Sequence, residues 1–256
     1  MFNRIEFAEV ASTCAKFRAI GGQVLPDYDV LFADHADTYD RFVSAEDYQG
    51  NLLETVRQFG HLSREHTVAD LGTGTGRVAF LLCPNVRHVY GIEPVGGMRL
   101  VADSKKQRLA VKNVDFLAGE HKDIPLPDKS VNLIVEGWSF LKAFHSAGPE
   151  WRVEFDTILS GMKRILRHSG SVILIETMGS VKLWNAVPDE HQELYNYFEN
   201  ELGLKKTVIR TDYKFCNLEE AVELCTFFFG EEIGAEVAAK GDAIVPEATV
   251  VWHGGL

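Results

Sequence analysis

Val68-Ala-Asp-Leu-Gly-Thr-Gly-Thr-Gly-Arg-Val-Ala79 is the stretch on which the reading of the fold turns. An apolar run ending at Leu71 leads into three alternate glycines, Gly72, Gly74 and Gly76, and then into residues with helical spacing. Glycines let a backbone turn sharply and approach a ligand without a Cβ in the way. The free amides at the start of the next helix point into the same space. Strand, glycine loop and helix in that order make a nucleotide-type binding loop.

The residues around the glycines bear on the ligand. A dinucleotide fingerprint needs a small residue three positions after its second glycine, for close packing of helix on strand, and here that position is Arg77. The pattern is therefore GxGxG. Asp70, two residues before Gly72, would set a carboxylate near the loop that receives pyrophosphate, where like charge is unfavourable. S-adenosylmethionine carries an ammonium group and a sulfonium and no phosphate, so it suits an acidic loop. Glu93 follows Gly72 by about 20 residues, a spacing that suits the ribose acid of NAD(P) sites and leaves that ligand open on this criterion.

From about Asp40 to Thr177 the chain resembles the class I S-adenosylmethionine-dependent methyltransferases, in particular the small-molecule group related to the quinone-biosynthesis enzymes. The likeness rests on the glycine loop, on Arg87-His-Val-Tyr-Gly-Ile-Glu93-Pro94, on Asn113-Val-Asp-Phe-Leu-Ala-Gly-Glu120-His121, on Pro125-Leu-Pro-Asp-Lys-Ser-Val-Asn-Leu-Ile-Val135, and on Arg164-Ile-Leu-Arg-His-Ser-Gly-Ser-Val-Ile-Leu-Ile-Glu176. It implies that Asp70, Gly72, Thr73, Gly74 and Gly76 form the cofactor loop. Glu93, followed by Pro94, would accept from both ribose hydroxyls. Glu120 would accept from the adenine N6 amino group, the His121 backbone N–H would donate to adenine N1, and Met98 would pack on the ring. Gly137 belongs with the cofactor site, and Trp138, at the same strand end, is placed to lie by the methionine portion or the acceptor, where an indole face attracts a sulfonium, with ordinary core packing as the alternative. Asn132 stands where the family has an Asp, and His168-Ser169-Gly170 replaces its common Pro-Gly-Gly turn.

Seven apolar or β-branched runs read as strands, Thr67–Leu71, Val89–Ile92, Val114–Leu117, Val131–Val135, Ser171–Glu176, Thr207–Tyr213 and Ala248–Trp252, alternating with helical stretches. That alternation argues an α/β fold, a doubly wound, Rossmann-like seven-stranded sheet. The resemblance adds that the last strand, around Trp252, inserts antiparallel beside the fifth. Trp151, Phe155, Ile158, Leu159, Met162, Ile165 and Leu166 recur at three- and four-residue steps and predict a helix over about 150–167. Residues 1–66 lack strong strand character and are expected to form an N-terminal helical cap, with residues 67–256 as one cofactor-binding unit. Tyr28, Tyr39 and Tyr48 in that cap read as helix packing or as substrate contacts. Leu218 to Phe229 reads as an amphipathic helix whose Phe227–Phe229 run is core or lid packing.

Composition narrows the partners. With 26 Lys and Arg against 37 Asp and Glu, the net charge is −11, which works against binding a phosphate backbone, so no nucleic-acid partner is expected. Lys105-Lys106-Gln107-Arg108 reads as a solvated helix end. Cys14, Cys83, Cys216 and Cys225 form no C-x-x-C pair, which suits a reducing cytoplasm, and the nine histidines give no metal-ligand spacing, so no metal is expected. Neither a secretory leader nor a membrane span is indicated, and a homodimer is left open.

Methyl transfer from a sulfonium is an in-line displacement with a neutral leaving group, so alignment and desolvation supply much of the rate. No catalytic residue is assigned. His145, ten residues past the fourth strand, is the best-placed histidine for a base, with a structural role as the alternative. The run Glu136-Gly137-Trp138-Ser139 differs from the Asn/Asp-Pro-Pro-Tyr run of methyltransferases acting on DNA bases or glutamine, which favours a small-molecule acceptor. A cofactor-binding relative without methyl transfer, and an NAD(P)-type oxidoreductase, are the alternatives.

Overall fold

The computed structural model describes residues 17–20, 23–180 and 189–256. In chain order it contains a hairpin of β1 (Phe17–Ile20) and β2 (Gln23–Pro26), then helices α1 (Tyr28–Asp34), α2 (Ala36–Ser44) and α3 (Asn51–Gly60). The central αβ run follows, with β3 (Thr67–Leu71), α4 (Arg77–Leu82), β4 (His88–Ile92), α5 (Gly96–Arg108), β5 (Val114–Leu117), β6 (Val131–Gly137), α6 (Phe140–Ala147), α7 (Trp151–Ile165) and β7 (Leu166–Ser180). The remainder is α8 (Asp189–Asn196), β8 (Lys205–Arg210), β9 (Tyr213–Lys214), α9 (Leu218–Phe229), α10 (Glu231–Lys240), β10 (Ile244–Val245) and β11 (Glu247–Gly254). Residues 1–16 of the expected cap, Cys14 among them, lie outside the described residues.

All seven expected strands join one sheet in the order β5-β4-β3-β6-β7-β11-β8. β3 pairs in parallel with β4 and β6, and β11 runs antiparallel to both β7 and β8. Helices cover both faces, so strand residues of either parity are buried. On β3, Val68 packs with Leu52 and Val56 of α3 and Val78 and Leu82 of α4, while Ala69 and Leu71 face the side that holds Phe155, Ile158 and Met162 of α7. The stripe on α7 thus meets the sheet as its spacing predicts. Trp252 on β11, fully buried, takes the edges of Tyr195 and Phe198 at 4.6 and 5.1 Å between ring centroids.

Three sequence expectations are corrected. Strands β1 and β2, paired antiparallel, occupy part of the segment read as helical. At His168-Ser169-Gly170 the strand runs on past the expected turn and absorbs the extra residues as a bulge, Leu166 pairing with Val131 and Ser171 with Leu133. Lys105 is no solvated helix end: its ammonium is 2.5 Å from Asp40 of α2, both side chains largely buried. Asn132, in turn, needs no charge for what it does, since its Oδ1 accepts from the Thr67 amide at 3.0 Å and fixes the start of β3.

The cover over the carboxyl ends of the strands comes from both halves of the chain. Phe42 of α2 stacks on Phe228 of α9 at 4.5 Å and on Tyr213 of β9 at 4.8 Å, within an apolar cluster that also holds Phe215, Leu224, Cys225, Val237 and Val245. Arg41 pairs with Glu220 and Glu223 of α9 at the rim.

Candidate active site

A cleft of about 370 Å³ opens where β3, β4 and β6 end, within the range of small-molecule sites. Of the residues singled out from the sequence, Gly72, Gly74, Glu93, Pro94, Met98, Glu120, His121, Gly137 and Trp138 all line it. Gly72 (φ 70°) turns the chain out of β3, and a Cβ there would lie 2.4 Å from the Ser139 hydroxyl, so no other residue fits without displacing that wall. Asp70, Thr73 and Gly76 are not on the cleft surface. Asp70 is 1% exposed and accepts from the Thr73 hydroxyl at 2.5 Å, so it braces the loop from beneath. Gly76 gives room to Phe116 and Phe80, each 2.8 Å from where its Cβ would stand.

Glu93, at the end of β4, is nearly buried and accepts from the Gly74 amide at 3.0 Å and the Val95 amide at 2.8 Å, one on each oxygen. Burial pushes its carboxyl up while those amides pull it down. Each oxygen keeps a second lone pair, so two hydroxyl donors could still be accepted. Glu120 is exposed at the cleft mouth, and Met98 is buried at its base. Trp138 adopts φ 57°, a conformation uncommon for a bulky residue, with its amide held by the Ile175 carbonyl at 2.8 Å.

The opposite wall belongs to the cover: Tyr28, Phe32, Tyr39 and Phe228 face the glycine loop. Sequence reading left Tyr28 and Tyr39 between packing and ligand contact. Both pack on the cover, Tyr28 donating to the Phe228 carbonyl at 3.3 Å and Tyr39 lying 5.8 Å from the Phe228 ring, and both line the cleft. Tyr48 is 43% exposed and stands away from the cleft under Lys214. His145 is not a cleft residue either; its ring lies 5.4 Å from that of His191 on α8.

Arg77, whose bulk argued against a dinucleotide, explains itself through the cover. Its guanidinium is an ion-pair partner of Glu46, just after α2, and stacks on Trp138 with 3.8 Å to the ring centroid. Two further acids escaped sequence reading because nothing marks a strand-end Glu as buried. Glu136 accepts from the Ser139 and Phe140 amides, both at 2.9 Å, and Glu176 from the Leu141 amide at 2.9 Å, so together they cap the N-terminus of α6. Burial pushes Glu136 up to about 8 and Asp70 up to about 7, and burial, with the Glu136 charge, pushes Glu176 well above the usual carboxylate range.

Residues 69–174, from β3 into β7, match the family model described as a methyltransferase domain. An uncharacterised methyltransferase of Bacillus thuringiensis is 30% identical over 163 residues, covering 59% of this chain and 68% of that protein. One from Staphylococcus carnosus is 26% identical over 216 residues, 76% of this chain and 94% of that protein. The chain belongs to the class I S-adenosylmethionine-dependent methyltransferases. S-adenosylmethionine is the cofactor of that family and of this chain with it. The fold is shared with a SAM-dependent methyltransferase from Aquifex aeolicus (18% identity, 86% of this chain and 97% of that chain, TM-score 0.53). It is also shared with a precorrin 8W decarboxylase of Methanobacterium thermoautotrophicum (17% identity, 80% and 90%, TM-score 0.51). Among the described residues no helix is long and apolar enough to cross a membrane.

Proposed function

We propose that this protein transfers a methyl group from S-adenosylmethionine to a small molecule held between the sheet and the aromatic cover. The observation that carries the reading is the two-sided cleft, with Gly72, Gly74, Glu93, Met98, Glu120 and His121 on one wall and Tyr28, Phe32, Tyr39 and Phe228 on the other. A site walled on both sides suits a small acceptor better than a polymer, and the net charge of −11 points the same way.

The residues fit the cofactor. Glu93 and Glu120 offer carboxylates, with Asp70 behind the loop, in a place where phosphates would be repelled and an ammonium and ribose hydroxyls welcomed. Glu93 would take the ribose, Glu120 and the His121 amide the adenine edge, Met98 the ring face, and Gly137 and Trp138 the methionine end. The cofactor supplies an electrophilic methyl group on a sulfonium that leaves as a neutral thioether. The protein's share is to align the acceptor and to exclude water, which the aromatic wall does. Calorimetry with S-adenosylhomocysteine and NAD, followed by a screen for S-adenosylhomocysteine release across small acceptors, tests the reading. Binding of NAD in preference would overturn it, and so would tight S-adenosylhomocysteine binding with release for nucleic acid alone.

A further inference from the structure

Glu136, Ser139 and His121 form a hydrogen-bonded chain from the buried end of β6 to the cleft wall. The Ser139 hydroxyl is 2.6 Å from Glu136 Oε1, and His121 Nε2 is 3.0 Å from Ser139 Oγ. Donor and acceptor roles along it follow from geometry. Oε1 stands at the focus of the Ser139 and Phe140 amides, which can only donate, so in the resting chain Oε1 accepts, and a resting proton on this carboxyl sits on Oε2, which is buried without a partner among the described residues. The single Ser139 proton therefore points to Oε1. Its oxygen must then accept from His121, so Nε2 carries the imidazole N–H and Nδ1 keeps a bare lone pair.

That lone pair belongs to a cleft residue. His121 lines the cleft beside Gly72, whose Cβ would come within 3.3 Å of Nε2, and its ring packs on Phe140 at 5.2 Å. No hydrogen bond of Nδ1 occurs among the described residues. The imidazole is neutral, because burial pushes it down to about 4. At the far end of the chain, burial pushes Glu136 up to about 8. Glu176 from β7 and Asp70 from β3 are the acids beside Glu136, and Tyr195 of α8 feels both Glu136 and Glu176. Burial thus makes the Glu136 end of the chain the more basic one and the imidazole the less basic.

Resting on the methyl-transfer reading, we propose that the methyl acceptor is a phenol whose hydroxyl docks on His121 Nδ1, with Ser139 and Glu136 positioning that imidazole and receiving the displaced proton. The phenolic proton passes to Nδ1, the Nε2 proton to Ser139 Oγ, and the Ser139 proton to Oε1 of ionised Glu136. The phenolic oxygen forms its bond to the methyl carbon as the carbon–sulfur bond breaks, that electron pair staying on sulfur. One proton ends on Glu136, to be lost to water on product release. Tyr39, Phe228 and Trp138 supply flat surfaces for the acceptor's ring.

Nitrogen-15 NMR of histidine-labelled protein reads the central claim without turnover. His121 is expected as the neutral Nε2–H tautomer at pH 7, and catechol, added with S-adenosylhomocysteine bound, is expected to shift Nδ1 of His121. Glu136→Gln keeps the volume and is expected to lower methyl transfer to catechol at least about 100-fold, the scale of lost acid–base catalysis, and to abolish the rise in rate through pH 8. If Glu136→Gln does not fold, Ser139→Ala breaks the chain from the cleft side and is expected to mix the two tautomers. An Nδ1–H tautomer, an imidazolium at pH 7, no response of Nδ1 to catechol, or methylation of benzylamine in preference would each overturn the proposal. Absence of S-adenosylhomocysteine binding by calorimetry would instead sink the methyl-transfer reading, since the tautomer is also read in the free protein.

Discussion

The Arg77 guanidinium lies over the Trp138 indole, 3.8 Å from the ring centroid, while Nη1 holds the Glu46 carboxylate. One side chain thereby joins the helix that follows the glycine loop, the residue just after β6 and the cover. Glu46 is 3% exposed, so removing its partner strands a buried charge. Arg77→Ala should cost about 3 kcal/mol or more, whereas replacing both residues by apolar ones of similar volume should cost much less. Urea unfolding of the single and double variants checks this; equal losses would mean that the charge is not what matters.

Glu93 and Glu120 are expected to act on different parts of the cofactor. Glu93→Ala should weaken S-adenosylhomocysteine by about 1.5–3 kcal/mol, the scale for hydrogen bonds to a charged group, and loosen the Gly74 amide that it now holds. Glu120→Ala should narrow the preference for the adenosine over the inosine form, because only the former offers an N6 donor. Calorimetry with both forms decides; equal loss of the two on Glu120→Ala would exclude a reading of N6.

Stability should fall as pH rises from about 6.5 to 8. Asp70, pushed up to about 7, and Glu136, pushed up to about 8, keep their protons in the folded chain at pH values where the unfolded chain, near 4, has lost them. His121, pushed down to about 4, opposes this only at lower pH, where the unfolded imidazole charges and the folded one does not. Above about 6.5 the folded state binds the more protons, and each raised acid contributes a slope of up to ~1.4 kcal/mol per pH unit. Urea midpoints at pH 6.5 and 8 measure it, and Glu136→Gln should flatten the slope. A midpoint that climbs with pH would contradict the assignment.

The cover should gain protection when the cofactor product binds, since Tyr28, Phe32, Tyr39 and Phe228 face the glycine loop across the cleft. Hydrogen exchange over 28–44 and 218–229, with and without S-adenosylhomocysteine, reads this directly. Phe42→Ala should remove about 3–5 kcal/mol of packing from the shared cluster. Exchange in 213–245 should rise while β3 and β6 stay protected. Uniform loss across the sheet would show that cover and sheet unfold as one.

The sheet was legible because its strands are short apolar runs at regular intervals, and Leu218–Phe229 because its apolar and charged residues alternate in an amphipathic pattern. Glu93, Glu120 and His121 were legible because each stands at a strand end or just beyond one, at a fixed place in a linear pattern. What stayed hidden depends on contacts across the chain. Asp70 seemed to face a ligand because its spacing from Gly72 says nothing of Thr73 folding back over it. Glu136 and Ser139 lie three residues apart, but nothing in the sequence shows His121 reaching Ser139 from 18 residues away.

The antiparallel strand Glu247–Gly254 has a bearing on synthesis. It lies between β7 and β8, pairing with both, although both are made before it. While the chain is emerging from the ribosome, β7 and β8 have no hydrogen-bonding partner on their facing sides, and Ile173, Ile175 and Ile209 have no Val251 to pack against. Unpaired apolar strand edges of this kind invite pairing with other chains. Because Trp252 and its strand are made after both neighbours, the gap they fill stays open to other chains until they have been synthesised.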